Sequence, residues 1–325
     1  MSSTLLRASV LSALIWALGC VGPPPAETPL DGDPSVTSSA WRAAPGSLGR
    51  SLLAPENLAG GPPDQVVEHF AMRLGYCEEW EQPRWVAHKL ERLGGFERTD
   101  DFRPDPSIET GSAALADYRG SGLDRGHLAP AGDFSWSSRA MSESFFLSNM
   151  SPQTPAFNRG VWRQIEAETR GLLLHAETLW IVTGPIVFGG EPAIGANEVV
   201  VPTAFFKAVL GQRGDEWFGV AYLHDNVRGN GGVDAARVSI DEVERIAQLD
   251  LFSALPPQLE EQVESQVLER SALGGRLSEP PKASPNRSKA PSSRLGVAVR
   301  CSAITQRGTR CKRRTKNATG RCWQH

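Results

Sequence analysis

The sequence predicts a mixed α+β domain, and three observations lead there. Short apolar runs rich in Val, Ile, Phe and Trp recur between about residues 66 and 227, broken by Gly, Pro and Asn as strands are. One segment among them, NRGVWRQIEAETRGLLL, instead places Val161, Trp162, Ile165 and Leu172 along one helical stripe. Strands and helices do not alternate regularly, which argues against a doubly wound parallel sheet.

In chain order the expected strands are RWVAHKL, ESFFLSNM, TLWIVTGPIVF, VVVPTAFFKAVL and EWFGVAYL. The helix opened by Asn158 lies between the second and third. A further helix starts at SIDEVERIAQL, where Ser239 and Glu242 stand at capping-box spacing. Cys77, beside Tyr76 in an apolar neighbourhood, reads as a buried thiol rather than a nucleophile. Composition divides the chain into a leader (1–20), a Pro-rich polar linker (21–60), the core domain (61–270), a second Pro/Ser/Lys-rich linker (271–299) and a short tail (300–325).

With 325 residues, 40% hydrophobic and 22% charged, the chain can bury one sizeable core and is not disordered overall. Its formal net charge of −3 hides a division: every charged residue from Lys282 onward is basic, so an acidic body precedes a basic tail. Such a tail suits an anionic partner, nucleic acid or a membrane surface, although a solvated charge run has the same composition. The leader carries one Arg, then an apolar run from Ala8 to Leu18, then Gly19 and Cys20. That run is too short to span a bilayer and has the proportions of an export signal. It resembles a bacterial lipoprotein signal, with Ala17 where Leu is usual, so Cys20 is expected to be lipidated and to attach the protein to a membrane. Plain cleavage is the alternative, and either places the protein in the cell envelope or outside it.

The tail sets Cys301, Cys311, Cys322 and His325 as Cys-x9-Cys-x10-Cys-x2-His. With no apolar core, so short a segment is expected to fold around a tetrahedral Zn²⁺. A disordered basic tail is the other reading, and export exposes the thiols to oxidation. Arg310, Lys312, Arg313, Arg314 and Lys316, between the ligands, suit a grip on nucleic acid.

The densest chemistry lies in DYRGSGLDRGHLAPAGDF, which holds Asp124, Arg125 and His127. Alone, these residues also describe a polar loop. Downstream stand Asn149, in LSNMSPQ, and Asn158 and Glu166 on the helix. Eight residues along an ideal helix leave Asn158 and Glu166 within about 80° of each other, so both can face one cavity. The plainer readings are a turn former for Asn149, an N-cap for Asn158 and a solvated position for Glu166.

The segments DYRGSGLDRGHLAP, WSSRAMSESFFLSNMSPQTPAFNRGVWRQIE, VTGP and VPTAFFK together resemble the sugar-nonspecific DNA/RNA endonucleases over about residues 66 to 255. The resemblance implies a ββα-metal nuclease fold with a central antiparallel sheet and flanking helices. It also implies hydrolysis of DNA and RNA, with His127 as general base and a hydrated Mg²⁺ or Mn²⁺ held by Asn158. Glu166 would reach the ion through water, Arg125 would stabilise phosphate charge, Asn149 would position His127 or substrate, and Arg98 would match an upstream family arginine. Asp124 would brace the loop. Arg159 stands where relatives often have Gln. Arg139, Arg159 and Arg163 would complete a basic groove that binds backbone and reads little sequence. A homodimer and an inhibitor protein stand as candidate partners. The rival function is a non-catalytic protein that binds nucleic acid or an anionic surface on the same scaffold.

Overall fold

The computed structural model describes residues 52–57, 62–229 and 231–269. The expected leader with Cys20, the second linker, and the tail with Cys301, Cys311, Cys322 and His325 lie outside the described residues. In chain order, β1 (Glu56–Asn57), β2 (Gln65–Glu68), β3 (Met72–Cys77) and β4 (Gln82–Leu90) are followed by α1 (Leu115–Tyr118), β5 (Asp124–His127), α2 (Ser138–Glu143) and β6 (Met150–Gln153). Then come α3 (Pro155–Phe157), a π turn (Asn158–Trp162), α4 (Arg163–Gly171), β7 (Thr178–Ile186), β8 (Ala193–Ile194) and β9 (Val199–Val200). β10 (Ala204–Arg213), β11 (Glu216–Asp225), β12 (Arg237–Val238), α5 (Ile240–Ala247), β13 (Leu249–Asp250) and α6 (Pro257–Glu264) complete the order.

Seven strands form one antiparallel sheet in the order β12-β11-β10-β7-β4-β3-β2. Side chains of a strand point alternately to opposite faces, and β10 shows the result. Phe205 and Val209 enter a core with Phe157, Trp162 and Ile165, whereas Phe206, Ala208 and Leu210 enter another with Ile240, Val243 and Val263. The π turn and α4 therefore cover one face, and α5 and α6 the other. Each fully buried Phe contributes about 1.5–3 kcal/mol to this sandwich. β5 and β6 stand apart as a two-stranded antiparallel ribbon on the α4 side.

The structure corrects several expectations. ESFFLSNM is not a strand: α2 ends at Glu143, Leu147–Asn149 form a 3₁₀ turn, and Met150 opens β6. Phe145 and Leu147 are both buried, but in different clusters, and a run buried on several sides has no period to distinguish strand from coil. VVVPTAFFKAVL is two strands, β9 and β10, separated around Pro202. The linker does not run to residue 60, because Leu52 and Leu53 are fully buried and β1 pairs with β13. That pairing joins segments nearly two hundred residues apart, which local composition does not reveal. Cys77 is buried but disulfide-bonded, not a thiol. Ser239 does cap α5, accepting from the Glu242 N–H at 3.1 Å.

Candidate active site

The β5–β6 ribbon carries the Asp-Arg-Gly-His element, with Asp124 opposite Gln153 and His127 opposite Met150. The Gln153 side chain packs directly on Gly126, where a Cβ would meet it at 2.0 Å. Two residues apart on one strand, Arg125 and His127 share a side of it. Phe102 meets both: the Arg125 guanidinium lies 4.5 Å above its ring, and the His127 ring centre is 5.7 Å away. Phe145 meets the imidazole edge-on at 5.0 Å and carries the Arg98 guanidinium 4.7 Å from its own ring centre.

His127 is thus walled by two aromatic rings, each topped by an arginine. Its Nε2 is buried and makes no hydrogen bond. Burial, then the charges of Arg98 and Arg125, pull its pKa down to about 3, so the imidazole is neutral at physiological pH.

Beside this wall opens a cleft of about 440 Å³, lined by Arg98, Phe102, Asp124, Arg125, Asn158 and Arg159 among others. Asn158 is not the helix N-cap. Thr154 fills that role, accepting from the Phe157 N–H at 3.3 Å with Pro155 following it, and Asn158 lies inside helical backbone. The segment from Asn158 to Trp162 is a π turn in which Gly160 leaves helical geometry (φ −99°, ψ −114°). Such turns recur at functional sites because they re-aim side chains. Asn158 Nδ2 donates to Asp124 Oδ2 at 3.0 Å, which leaves the amide oxygen for the cleft. Arg159 clasps the same carboxylate through two nitrogens, at 2.8 and 2.6 Å. Burial works to raise the Asp124 pKa, but the Arg159 and Asn158 hydrogen bonds prevail and hold it below the usual carboxylate value.

Behind the cleft lies a set of buried charges that sequence reasoning missed. Lys207, 1% exposed on β10, donates to Thr183 Oγ1 at 2.6 Å and to the Leu128 carbonyl, the residue after His127. Asp133 accepts from His88 Nε2 at 2.9 Å and from Arg170 at 3.0 Å. Glu166 sits in the field of this group: burial raises its pKa, and the Lys207 charge opposes that rise. Lys207 in turn is lowered by burial and held up by Glu166 and Asp133. The one sequence signal was a lysine inside the apolar run AFFKAVL, where a charge needs a partner.

Asn149 is fully buried and its side chain touches only backbone. Its Oδ1 accepts from the Ala129 N–H, and its Nδ2 donates to the carbonyls of Ala129 and Ser144. It braces the loop that leaves His127 and does not reach the cleft. Arg139 is exposed, paired with Glu143 at 2.8 Å and stacked on Phe70, outside the cleft lining. Arg163 is exposed and also outside that lining.

A neutral imidazole beside a cleft rimmed by guanidinium groups suits attack on a phosphodiester, and this architecture is that of a nuclease domain. The chain belongs to the DNA/RNA non-specific endonucleases, whose family model matches residues 54–258. It is 38% identical over 186 residues to the mitochondrial endonuclease G of Homo sapiens, an alignment spanning 51% of this chain and 62% of that one. A nuclease of Nostoc sp. is 31% identical over 248 residues, with 72% and 87% covered. Among solved structures, an endonuclease G in complex with EndoGI superposes with a TM-score of 0.57 at 32% identity, covering 61% of this chain and 90% of that one. The chain spans under two thirds of the human relative's length but most of the Nostoc one.

Proposed function

We propose that this chain hydrolyses phosphodiester bonds in both DNA and RNA, with His127 as general base and a hydrated Mg²⁺ or Mn²⁺ held through Asn158. The observation that carries the reading is the buried, uncharged imidazole with an unbonded ring nitrogen beside the arginine-rimmed cleft. The chemistry of the cleft fits a hard divalent ion, since Asn158 lines it and offers an amide oxygen oriented by Asp124, whereas Glu166 lies outside the lining. When bound, such an ion supplies positive charge to the phosphate and the departing 3′ oxygen.

His127 takes the proton from the attacking water, a task for which its neutral form is ready. Arg98 and Arg125 neutralise charge that grows on the phosphate. Asp124 fixes the rotation of the Asn158 amide, and Asn149 holds the backbone just beyond His127. Glu166 would act on the ion through water, with Lys207 balancing its charge. Because the cleft offers guanidinium groups rather than a shape matched to base edges, cleavage follows the backbone with weak sequence preference.

The disulfide at Cys77 takes one of the other four cysteines, so the zinc set Cys301/Cys311/Cys322/His325 and the lipid tether at Cys20, both beyond the described residues, are proposed as alternatives, each of which holds only where the other supplies the partner of Cys77. For a protein inhibitor, an acidic surface is the chemistry this cleft would accept; a homodimer is a further candidate assembly. The test is relaxation of supercoiled plasmid and digestion of single-stranded RNA by the purified protein, with Mg²⁺ and then with chelator. Binding without cleavage under every metal condition would leave the non-catalytic alternative standing.

A further inference from the structure

On the face of the sheet away from His127, α5 and α6 bring three carboxylates together. Asp241 and Glu244 lie one turn apart on α5, and Glu264 ends α6. One oxygen from each falls within 4.8 Å of the others. Two oxygens bound to one Ca²⁺ at its usual bond length are separated by at most about 4.6–5.2 Å, so this triangle can close around one ion.

A second observation points the same way. Glu264 is 2% exposed, and its Oε1 is buried with no hydrogen bond. A buried carboxylate oxygen with nothing to accept from is costly, and proteins leave few such groups without a reason. Burial, followed by the neighbouring carboxylates, pushes Glu264 up to about 10. Burial raises Glu244 to about 8, with Asp250, Asp241 and Glu260 adding to the rise and the Leu251 N–H opposing it. Glu264 also stands at the C-terminal end of its helix, where the backbone dipole is negative and favours a cation.

We infer that Asp241, Glu244 and Glu264 form a second divalent-cation site, of the Ca²⁺ class, that pins α5 to α6 on the side of the sheet remote from the nuclease cleft. Its role is structural. The ion joins two eight-residue helices that bury Ile240, Val243 and Val263 against β10 and β11, and it neutralises the Glu264 carboxylate held between them.

The test uses the full-length protein, stripped with chelator, and Ca²⁺ alone as probe. Thermal unfolding and calorimetric titration are compared for the unsubstituted protein, Asn158→Ala and Glu264→Gln. The expected result is one Ca²⁺ site, with a rise in Tm, that survives Asn158→Ala and is lost in Glu264→Gln. In chelator, Glu264→Gln should melt no lower than the unsubstituted protein, because it removes an uncompensated acid. Should Glu264→Gln not fold, Asp241→Asn, on an exposed position, replaces it with the same expected loss. Calcium binding unchanged by either substitution, or abolished by Asn158→Ala, would overturn the proposal. A protein that shows no calcium response at all would have a proton-sharing acid cluster instead, which equally ends it.

Discussion

The two faces of the central sheet are built by the same strands yet differ in what they bury. Toward α5 and α6, β4, β7 and β10 present Trp85, Ala87, Trp180, Val182, Phe206, Ala208 and Leu210, with Lys89, paired to Glu91 at 2.9 Å, as the buried charge near the end of β4. Toward α4 the alternate positions are apolar as well, except that His88, Thr183 and Lys207 stand among Val86, Ile181, Phe205 and Val209. Three polar residues on three adjacent strands converge under the ribbon that holds His127. On the α5/α6 side the buried carboxylates, Glu244 and Glu264, come from the helices and not from these strand positions. The α4 face gives up apolar burial at three central positions for a charged platform, as is expected where strands carry a site.

Substitutions on the two faces should therefore fail in different ways. The largest contrast pairs His127→Ala with Phe206→Ala. His127→Ala should lower plasmid cleavage by about 10²–10⁴-fold, the worth of a general base, while its unfolding midpoint falls less than that of its counterpart. Phe206→Ala should cost about 3–5 kcal/mol in denaturant unfolding and leave the rate per folded molecule unchanged. Equal losses of both properties in the two variants would erase the distinction between the faces.

Next in size is Lys207→Met, which keeps the volume and removes the buried cation. With Asp133 and Glu166 left without it, unfolding should become easier by about 3–5 kcal/mol. A variant as stable as its parent would show that the α4 face does not depend on its charges.

A smaller effect concerns acid. His127 titrates near 3 when folded and at about 6.5 when unfolded. As pH falls below about 6.5 the unfolded chain takes up this proton first, so the folded state loses stability progressively until about pH 3 and regains it as pH rises. His127→Phe should show a shallower decline over that window, and identical pH–stability curves would contradict the neutral assignment. The smallest change expected is Arg159→Gln. Its side chain is 73% exposed, so melting should not move, while the log–log salt dependence of DNA binding should drop by about one ion. An unaltered slope would remove Arg159 from the substrate contacts.

Much of this was legible in the amino-acid order. β4, β7 and β11 announce themselves because each is long and lined with β-branched and aromatic residues. Ser239 marks its helix because capping is a contact across three residues. Arg125, Arg98 and Asn158 gather at one cleft, with His127 buried beside it against Phe102, because ribbon, loop and helix all border it. What stayed hidden is what distance in the chain conceals. Phe102 and Phe145 wall the imidazole from segments that look like an irregular loop and a strand. Lys207 finds Asp133 and Glu166 only once the sheet has formed. The angular relation between Asn158 and Glu166 assumed an unbroken helix, and the turn at Gly160 intervenes. Charge alone groups Arg139 with the groove, whereas its neighbours are Glu143 and Phe70.

The rings beneath Arg98 and Arg125 have a consequence for how the cleft meets a polyanion. Each guanidinium leans on an aromatic surface, so much of its rotational freedom is lost when the chain folds rather than when a strand of nucleic acid arrives. An incoming phosphate meets donors already ordered, and tight contact no longer demands that loose surface side chains be frozen at the moment of encounter.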